Sequence, residues 1–488
     1  MTVPSIKDFN DVGCELSNGP SDIKQVIDWD TFDFTSKEPL QRKYEVPSPQ
    51  EIIESFSEPR IFLAPMVDGS EFAYRVLANN RGISCCWTPM IHSRIFSTTQ
   101  DQQTHIEHPE NMIVAESCED MENSPLYLKN CQVLRKKLDA KYKDSPVVAQ
   151  FNANDPGHLL NAVKTLETAV FDENGERRKN GLNVVAVELN MGCPQRIARR
   201  SYYGSYLQEN WSLQFSLIRT VAENCRLPIF GKVRICEFSD DEETNISKTV
   251  EYINMLYYAG ASMVTLHARY RSQRGTVKGE PRREMWAKIR KQIKNPLIYN
   301  GSVDTIEEAV EVRKMTGADG IMVGEGLLFN LDLVSSSGDV NTRINTLIEY
   351  LNILISVFEE SYDDKLPFIP TYPGEQPSGD SLTDKEARAL RLAHRKKFSH
   401  KNKKLTDEER GVATLFRGCP LGHIMWILAG EFKYHADLRP FVLEATSNSF
   451  KQQKKVIEVL QYRIQNGIKG VTDEELKHKP VTAEQTEA

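Results

Sequence analysis

The chain lacks the features that mark secreted, zinc-binding and membrane proteins. Its nine cysteines are scattered over 488 residues, with no CxxC or Cys/His spacing for zinc and no paired framework typical of secretion. We therefore expect no metal and a reducing compartment, cytoplasmic and/or nuclear. Residues 1–10 contain no apolar core of signal-peptide length, and no apolar run reaches the length of a membrane span, so we expect no membrane association.

The chain also lacks an excess of positive charge, since 61 Lys and Arg face 68 Asp and Glu, a net charge of −7. This balance excludes a protein whose whole surface is a basic nucleic-acid coat, but it still allows a local basic face. No GxGxxG follows the first apolar run, which argues against a dinucleotide-binding sheet. The hydrophobic share of 40% is ordinary for a globular protein, and the length predicts two or three domains.

What the chain does contain is an alternation of short apolar runs with helical segments across residues 61–335. We predict strands at 61–65, 83–88, 147–151, 184–187, 228–234, 263–267, 297–300 and 320–323. Helices are predicted between them, including 207–225 and 248–259. Such an alternation predicts a parallel α/β fold, and eight units fit a closed (β/α)8 TIM barrel. An open doubly wound sheet is the structural alternative.

The remaining segments predict further regions around the barrel. We divide the chain into an N-terminal extension, a barrel, a smaller all-helical domain and a polar tail predicted to be disordered, at 1–57, 58–335, 336–465 and 466–488. The extension is expected either to drape over a domain or to stay mobile. Helical spacing at 344–358 and a capping-box start at 383–386 predict helices of the second domain. Another helix is predicted at 127–138.

The octapeptide ELNMGCPQ at 188–195 follows the apolar run 184–187 and contains the first candidate for chemistry. Gly192 and Pro194 stop the strand and leave Cys193 on a loop at its C-terminal end, where parallel α/β folds carry their active sites. A thiol with a pKa near ~8.5 is mostly protonated at neutral pH. Cys193 could therefore donate a proton as well as attack as a thiolate. The alternative is a buried structural cysteine, the usual role of a lone Cys.

Cations at two other strand ends indicate an anionic ligand. Lys232 and Arg234 point the same way, because strand side chains alternate, and two cations on one face suit a reduced flavin and its phosphate. The alternative for this pair is two salt bridges. His267 and Arg269 repeat the pattern on the next strand and favour a phosphate or ring contact, although a single His is more often structural.

The loops after the last two strands indicate where a phosphate would bind. Residues 300–302 and Gly324 allow backbone N–H groups to approach a phosphate closely, at the recurrent phosphate position of these barrels. Each glycine alone could be a simple turn. Gln150, at another strand end, could hydrogen-bond the edge of an amide-rich ring or satisfy a neighbouring loop.

In chain order, these motifs resemble those of the tRNA-dihydrouridine synthases, which are flavin barrels with a helical tail domain. The resemblance covers most of 58–335 and rests on LAPMV at 63–67, Gln150, ELNMGCP at 188–194, KVR at 232–234, LHAR at 266–269, NG at 300–301 and GEG at 324–326. The strongest signal is NMGCPQ at 190–195 together with YGSYL at 203–207. The CPQ form, the GEG ending and segment 423–439 resemble the eukaryotic branch that acts at positions 16 and 17 of tRNA.

The resemblance implies an oxidoreductase in which FMN reduces uridine and NADPH re-reduces the flavin. By this resemblance, FMN would be contacted by Pro65, Met66, Val67, Gln150, Lys232, His267, Asn300, Gly301, Ser302, Gly324 and Glu325. The substrate is expected to contact Asn190, Arg234, Arg269, Arg196 and Arg199. In the resulting hypothesis, flavin N5 gives a hydride to C6 of uracil and Cys193 protonates C5.

A basic strip in the predicted helical domain fits a tRNA partner. Residues 385–404 contain nine Lys or Arg and one acidic residue, which could contact tRNA phosphates. A solvated helix face or a nuclear import signal would explain the strip equally simply. We expect a monomer. Two other functions stay open, an FMN barrel that acts on a free pyrimidine or small enone and a non-catalytic tRNA-binding protein on the same fold.

Overall fold

The structure, a computed structural model, describes residues 27–67, 69–97, 146–178, 182–274, 279–334, 338–358, 369–375, 420–428, 430–443 and 450–477. Its strands are β1 Ile61–Leu63, β2 Cys85–Trp87, β3 Ile91–His92, β4 Val147–Asn152, β5 Val184–Met191, β6 Ile229–Arg234, β7 Met263–His267, β8 Leu297–Asn300 and β9 Gly320–Val323. The eight predicted strands are confirmed, and β5 continues beyond its predicted end to Met191. The short β3 was not predicted.

All strand pairs are parallel, and they close a ring. The nine-stranded order runs β2-β1-β9-β8-β7-β6-β5-β4-β3, and an additional pairing of β2 with β4 joins the two sides. β3 pairs with β4 outside this closure, so eight strands form the barrel. The predicted (β/α)8 barrel is confirmed, and the open-sheet alternative is wrong.

Helices precede, connect and follow the strands of this barrel. Their bounds are Pro49–Ser55, Phe72–Asn80, Ser93–Ser97, Pro156–Val170, Arg196–Arg200, Trp211–Asn224, Glu242–Ala259, Arg283–Arg290, Ile306–Thr316 and Glu325–Phe329. Side-chain caps define several starts, since Asp155, Asp241 and Thr305 each accept from a backbone N–H in the first turn. Gly260 and Gly317 end two of these helices in the left-handed region, where glycine carries no Cβ penalty.

Two predicted helix starts were wrong because of such caps. The segment predicted as one helix over 207–225 is a 3-10 turn, Gly204–Glu209, followed by a helix from Trp211. Asn210 separates them, with its side chain accepting from the Leu213 N–H. The helix predicted from 248 begins at Glu242, because Asp241 caps it. The helices predicted at 127–138 and from 383 lie outside the described residues.

The barrel interior is divided into a lower apolar layer and an upper polar layer. The lower layer contains Phe62, Trp87, Val148, Ala186, Phe230, Met263, Ile298 and Met322. Helix Pro49–Ser55 and Phe56 cover it from below, and the Phe56 ring lies 5.1 Å from that of Phe62. Because inward positions alternate along each strand, the next inward residues form the upper layer. They are Gln150, Glu188, Lys232, Thr265 and Asn300.

The described part of the N-terminal extension follows the first of its two predicted alternatives and lies against the barrel. Trp29 stacks on Phe238 at 4.3 Å between ring centroids. The Arg42 guanidinium donates to the carbonyls of Ala222 and Gly260, at 3.1 and 2.9 Å. Residues 27–57 are therefore part of the folded unit.

After the barrel, the described residues are mostly helical, as predicted. The helices are Val340–Phe358, Pro420–Leu428, Arg439–Leu443, Phe450–Gln465 and Asp473–Lys477. The first two contact the barrel through Glu71, whose carboxylate accepts from Tyr350 Oη and pairs with His423 Nε2 at 2.9 Å. None of the described helices is long and apolar enough to cross a bilayer.

The prediction that residues 466–488 are disordered was wrong for its first part. Helix Asp473–Lys477 forms, and Arg439 pairs with Asp473 at 3.0 Å. The Ala436 N–H also donates to the Val471 carbonyl at 2.7 Å. These contacts to helix Arg439–Leu443 and to the 3-10 turn before it, Ala436–Leu438, order a segment whose polar composition alone indicated disorder. Residues 478–488 lie outside the described range.

Candidate active site

Cys193 lies where the sequence predicted, on a loop after β5 at the C-terminal end of the barrel. Its thiol is only partly buried, unlike Cys85, Cys86, Cys225 and Cys236, which are buried. A purely structural role, the alternative for Cys193, therefore fits these four buried cysteines better than it fits Cys193. Cys193 is also the described cysteine that lies beside the inward-facing cations Lys232 and Arg234, which act on its pKa.

Asn190, the last inward-facing residue of β5, holds the start of the Cys193 loop. Its side-chain oxygen accepts from the backbone N–H groups of Gly192 and Cys193, at 3.1 and 3.0 Å. This Asx-type turn ends the strand and fixes the backbone at the cysteine. Asn190, predicted as a substrate residue, therefore also has a local role, and its substrate contact stays a prediction.

The 3-10 turn Gly204–Glu209 holds the other side of the loop. The backbone N–H and the hydroxyl of Ser205 both donate to the Cys193 carbonyl at 3.0 Å. Gly204 has φ +66°, and a Cβ there would lie 2.7 Å from the same carbonyl oxygen. Tyr206 Oη donates to the Pro194 carbonyl at 3.2 Å. The YGSYL motif therefore packs directly against the cysteine loop.

Burial raises the pKa of the Cys193 thiol. The backbone N–H of Gln195 and the positive charges of Arg234 and Lys232 oppose this shift but do not cancel it. The thiol is therefore protonated at neutral pH, which suits proton donation. The same N–H and cations would stabilise the thiolate that remains after the proton has left.

A chain of hydrogen bonds joins Asn190, which holds the Cys193 loop, to the upper layer of the barrel. The Asn190 side-chain NH2 donates to Gln150 Oε1 at 3.0 Å, and the Gln150 NH2 donates to Glu188 Oε1 at 2.6 Å. Gln150 and Glu188 are both buried, at 1% exposure each. Gln150 therefore makes contacts within the upper layer. Its predicted contact with a flavin ring stays a prediction.

Glu188 and Lys232 carry opposite charges inside the barrel. Burial raises the pKa of Glu188 to about 7, against the opposing effects of the Lys232 ammonium and the Gln150 hydrogen bond. Burial lowers the pKa of Lys232 to about 8, against the attraction of Glu188. The Lys232 ammonium donates to Asn300 Oδ1 at 2.8 Å, and the Asn300 NH2 donates to the Met322 carbonyl at 2.9 Å. The upper layer therefore contains two side chains, Glu188 and Lys232, whose pKa values lie near neutral pH.

The ends of β7 and β8 bring a cation and a hydroxyl together. Arg269 Nη2 donates to Ser302 Oγ at 2.7 Å, and Arg269 Nη1 lies 3.3 Å from His267 Nε2. Gly301 and Ser302 both have positive φ, +145° and +28°. The sequence predicted a phosphate or ring contact for His267 and a phosphate contact at Gly301 and Ser302, and the structure brings these residues to one place with Arg269. A guanidinium, a hydroxyl and a glycine loop fit an anionic group.

The predicted residues at the ends of β1 and β9 also converge. A Cβ on Gly324 would lie 3.4 Å from Met66 Sδ and 3.7 Å from Ala64 Cβ, so the two strand ends lie close together. Pro65 and Met66 are partly buried, whereas Val67 is 59% exposed. Glu325 is exposed as well.

Arg234, predicted to contact the substrate, is 8% exposed and is held by main-chain carbonyls. Its guanidinium donates to Gly192 O at 2.8 Å and to Tyr270 O at 3.0 Å. Burial lowers its pKa to about 10. These contacts make Arg234 a support of the Cys193 loop, and its contact with substrate stays a prediction. Arg196 and Arg199, in contrast, are exposed on the short helix that follows Cys193.

Several residues of this site received no role from the sequence. Glu188 belongs to the ELNMGCPQ motif, and a carboxylate in an otherwise apolar strand was a signal that something must compensate it. Ser205 and Tyr206 belong to the YGSYL motif at 203–207, and no role was predicted for either residue. Among the described residues no group of His, Cys, Asp and Glu could hold a metal ion. The basic strip 385–404 lies outside the described residues.

Comparison with protein families gives one match over most of this region. The family model described as "Dihydrouridine synthase (Dus)" matches residues 62–363, from β1 into the helix that follows the barrel. The match includes every predicted site residue from Pro65 to Glu325.

Curated relatives agree with this match. The tRNA-dihydrouridine(16/17) synthase of Saccharomyces cerevisiae, an NAD(P)(+) enzyme by name, is 31% identical over 313 residues, covering 62% of this chain and 62% of that protein. Its Schizosaccharomyces pombe counterpart is 30% identical over 312 residues, covering 62% and 66%. A Mus musculus protein named tRNA-dihydrouridine(16/17) synthase-like is 32% identical over 271 residues, covering 56% and 46%. The chain thus spans between about half and two thirds of these relatives' lengths.

Proposed function

This chain belongs to the dihydrouridine synthase family, and on that premise we propose that it reduces the C5=C6 bond of specific uridines in tRNA to 5,6-dihydrouridine. The relatives' names favour D-loop positions 16 and 17 and a nicotinamide reductant, which we take to be NADPH. The observation that carries the proposal is the position of the Cys193 thiol, on a loop held by Asn190 and Ser205 at the mouth of a barrel whose upper layer is polar and charged.

The role of Cys193 is to give its proton to C5 of the uracil ring. Its raised pKa keeps the proton on sulfur at neutral pH until the ring gains electron density at C5. Asn190 and Ser205 fix the backbone on both sides of the cysteine, so the thiol is presented from a defined position. After the transfer, Lys232 and Arg234 favour the negative thiolate, which lowers the cost of releasing the proton.

The residues of the mouth fit FMN as the cofactor. When bound, FMN would supply the hydride that C6 of uracil accepts. Arg269, which was predicted to contact the substrate, would instead hold the FMN phosphate together with His267, Ser302 and the glycine backbone at Gly301. Lys232 and Asn300 would face the ring. Within the described chain, Lys232 makes one hydrogen bond, to Asn300, and an ammonium has three donors, so it can still donate to a carbonyl-rich ring edge.

The remaining mouth residues complete this assignment. Pro65, Met66 and Val67 would border the ring at the end of β1, beside Gly324 and Glu325. Gln150 would act from the upper layer, where it already orders Asn190. Arg196 and Arg199 are exposed next to the cysteine loop and would contact tRNA phosphates around the target uridine. The uridine must leave its stack to reach the thiol, which is easier in a loop than in a duplex.

The test is dihydrouridine formation by the full-length protein supplied with FMN, NADPH and tRNA that lacks dihydrouridine. We expect product in tRNA and none from free uridine or uracil. Cys193→Ala should lower the rate roughly 10²- to 10⁴-fold, the usual contribution of a general acid. The same variant should keep its bound flavin, which absorbance measures independently of activity.

Each other result selects a different function. Turnover of free uracil or uridine without RNA would favour a barrel that acts on a small enone. A colourless preparation that still shifts tRNA on a gel would favour a non-catalytic RNA-binding protein. Full activity in Cys193→Ala would refute the proton-donor role.

A further inference from the structure

A segment of the N-terminal extension, outside the region that matches the family, contacts the element that supports Cys193. The Asp28 carboxylate accepts from the backbone N–H groups of Trp211 and Ser212, at 2.7 and 3.2 Å. The Asp28 N–H donates to the Glu209 carbonyl at 3.0 Å. Asp28 therefore bonds both to the end of the 3-10 turn Gly204–Glu209 and to the start of helix Trp211–Asn224.

This contact satisfies donors that the helix itself cannot satisfy. The first N–H groups of a helix have no intrahelical acceptor. The side chain of the local cap, Asn210, accepts from the Leu213 N–H, at 2.9 Å, and from the Ser212 hydroxyl. The Trp211 and Ser212 N–H groups are left to Asp28. An anionic acceptor at this end is also favoured by the helix dipole.

The segment around Asp28 is anchored by contacts that do not involve its carboxylate. Trp29 stacks on Phe238 at 4.3 Å, and Phe32 lies 5.6 Å from Phe215. The Lys248 ammonium lies over the Trp29 ring at 5.4 Å. Its ion pair with Asp30, at 3.2 Å, is exposed to solvent on the Asp30 side and therefore adds little to this anchoring. The residues that follow Asp28 thus fix its position, so its carboxylate can impose a position on the turn.

From Glu209 the contacts continue to the cysteine. The Glu209 carboxylate pairs with Arg271 at 2.7 Å, and Arg271 also donates to the Ser205 carbonyl at 3.3 Å. Its guanidinium lies over the Tyr206 ring at 5.2 Å. Ser205 in turn donates twice to the Cys193 carbonyl. An unbroken series of short contacts therefore joins the N-terminal segment to the backbone of the cysteine.

We propose that Asp28 is a positioning residue, which fixes turn Gly204–Glu209 and through it the loop that presents the Cys193 thiol. The N-terminal extension is then part of the machinery that orients the proton donor. This proposal rests on the proposed function for its catalytic consequence, but its structural core, control of the Cys193 loop, does not depend on the substrate.

The test compares Asp28→Ala with Asp30→Ala in the full chain. Asp30 lies on the same segment, carries the same charge and pairs with Lys248 rather than with the turn, which makes it a matched control. The first readout is the alkylation rate of Cys193 by iodoacetamide, followed on its peptide by mass spectrometry, without tRNA or NADPH. We expect about a fivefold rise in Asp28→Ala, the opening expected when a helix N-terminus loses its acceptor, and no change in Asp30→Ala.

Further measurements separate positioning from a general loss of structure. Amide exchange at Trp211, Ser212 and residues 204–209 should speed up in Asp28→Ala, while kcat for dihydrouridine falls and KM for tRNA stays the same. Asp28→Asn keeps one of the two acceptor oxygens and should give an alkylation rate between those of the wild type and Asp28→Ala. It replaces the alanine variant if that variant folds poorly.

The proposal is overturned if amide exchange at 211–212 rises while Cys193 alkylation stays at the wild-type rate, because the turn would then not control the loop. It is equally overturned if Asp30→Ala and Asp28→Ala have the same effect. A faster Cys193 alkylation in a protein that makes no dihydrouridine would uphold the positioning role and reject the proposed function instead.

Discussion

The two layers of the barrel interior occupy neighbouring positions on the same strands but differ in chemistry. In the lower layer, Phe62, Trp87 and Phe230 pack ring to ring, and helix Pro49–Ser55 covers them from below. One inward position further along, Phe230 is succeeded by Lys232 and Ala186 by Glu188. Moving by two residues along a strand thus changes a packed apolar core into a set of buried charges.

This difference indicates what each layer contributes. Burial of apolar side chains stabilises the fold, whereas buried charges cost free energy unless they are compensated. Burial moves the pKa values of Glu188 and Lys232 toward neutral pH, because the barrel interior disfavours the charged form of each side chain. The upper layer lies at the C-terminal ends of the strands, where barrels of this kind carry their active sites. The lower layer therefore holds the barrel together, and the upper layer is adapted to a ligand.

Phe62→Ala should have the largest effect on stability. Phe62 is fully buried between Phe56 and Trp87, so the change leaves a cavity and should cost about 3–5 kcal/mol in urea unfolding. Phe62→Leu, which fills part of the space, should cost less. If Phe62→Ala lost less unfolding free energy than an upper-layer variant such as Lys232→Met, the lower layer would not be the main source of stability.

Lys232→Met should have the next largest effect, and it should appear in ligand binding. A charge-assisted hydrogen bond contributes roughly 1.5–3 kcal/mol, so FMN affinity should fall by about 10- to 100-fold in a fluorescence titration of the apoprotein. The unfolding free energy should change less than in Phe62→Ala, because the buried ammonium is removed together with its hydrogen bond. Wild-type FMN affinity in this variant would exclude Lys232 from the cofactor site.

Glu188→Gln should change how stability depends on pH, and the sign follows from the pKa shifts. Burial raises the pKa of Glu188 from 4.5 to about 7, so between these values the folded wild type holds a proton that the unfolded chain has lost. The contribution of Glu188 to wild-type stability therefore falls as the pH rises through this window. The variant has no such group, and its Lys232, without the attraction of Glu188, should titrate below about 8.

The loss of the Glu188 carboxyl and the lower pKa of Lys232 change the pH dependence of stability in the same direction. Relative to wild type, Glu188→Gln should become more stable as the pH rises from 5 to 8, measured by urea unfolding at both values. Gln150 can still donate to the glutamine oxygen, so the hydrogen bond of the upper layer persists. A stability difference that is constant with pH would show that Glu188 is ionised throughout.

Ser48→Ala should have the smallest effect. Ser48 and Glu51 form a capping box at the start of helix Pro49–Ser55, which covers the lower layer. Removing the hydroxyl should cost about 1 kcal/mol, detectable as a small shift in the urea midpoint. FMN affinity should be unchanged, and a loss of affinity would mean that the two layers are coupled.

The sequence predicted the barrel because its signal is local. Each parallel strand is buried on both faces and appears as a short apolar run, so all eight could be found without tertiary information. The position of Cys193 followed from Gly192 and Pro194, which end the strand beside it. The split at Asn210 was missed because the apolar pattern continues across it, whereas the side-chain cap that ends the turn depends on local geometry.

What could not be predicted depends on contacts between distant residues. Glu188 received no role because its partners, Gln150 and Lys232, lie on the neighbouring strands β4 and β6. Asp28 and Trp211 are 183 residues apart, and nothing in the composition of the extension indicates their contact. The order of residues 466–477 likewise comes from Arg439 and Ala436.

The most direct test is to map dihydrouridine at single-nucleotide resolution in tRNA from cells that lack this protein. The account predicts that dihydrouridine disappears at D-loop positions 16 and 17, that wild-type protein restores it, and that Cys193→Ala does not. An unchanged dihydrouridine map in cells without the protein, or full restoration by Cys193→Ala, would contradict it.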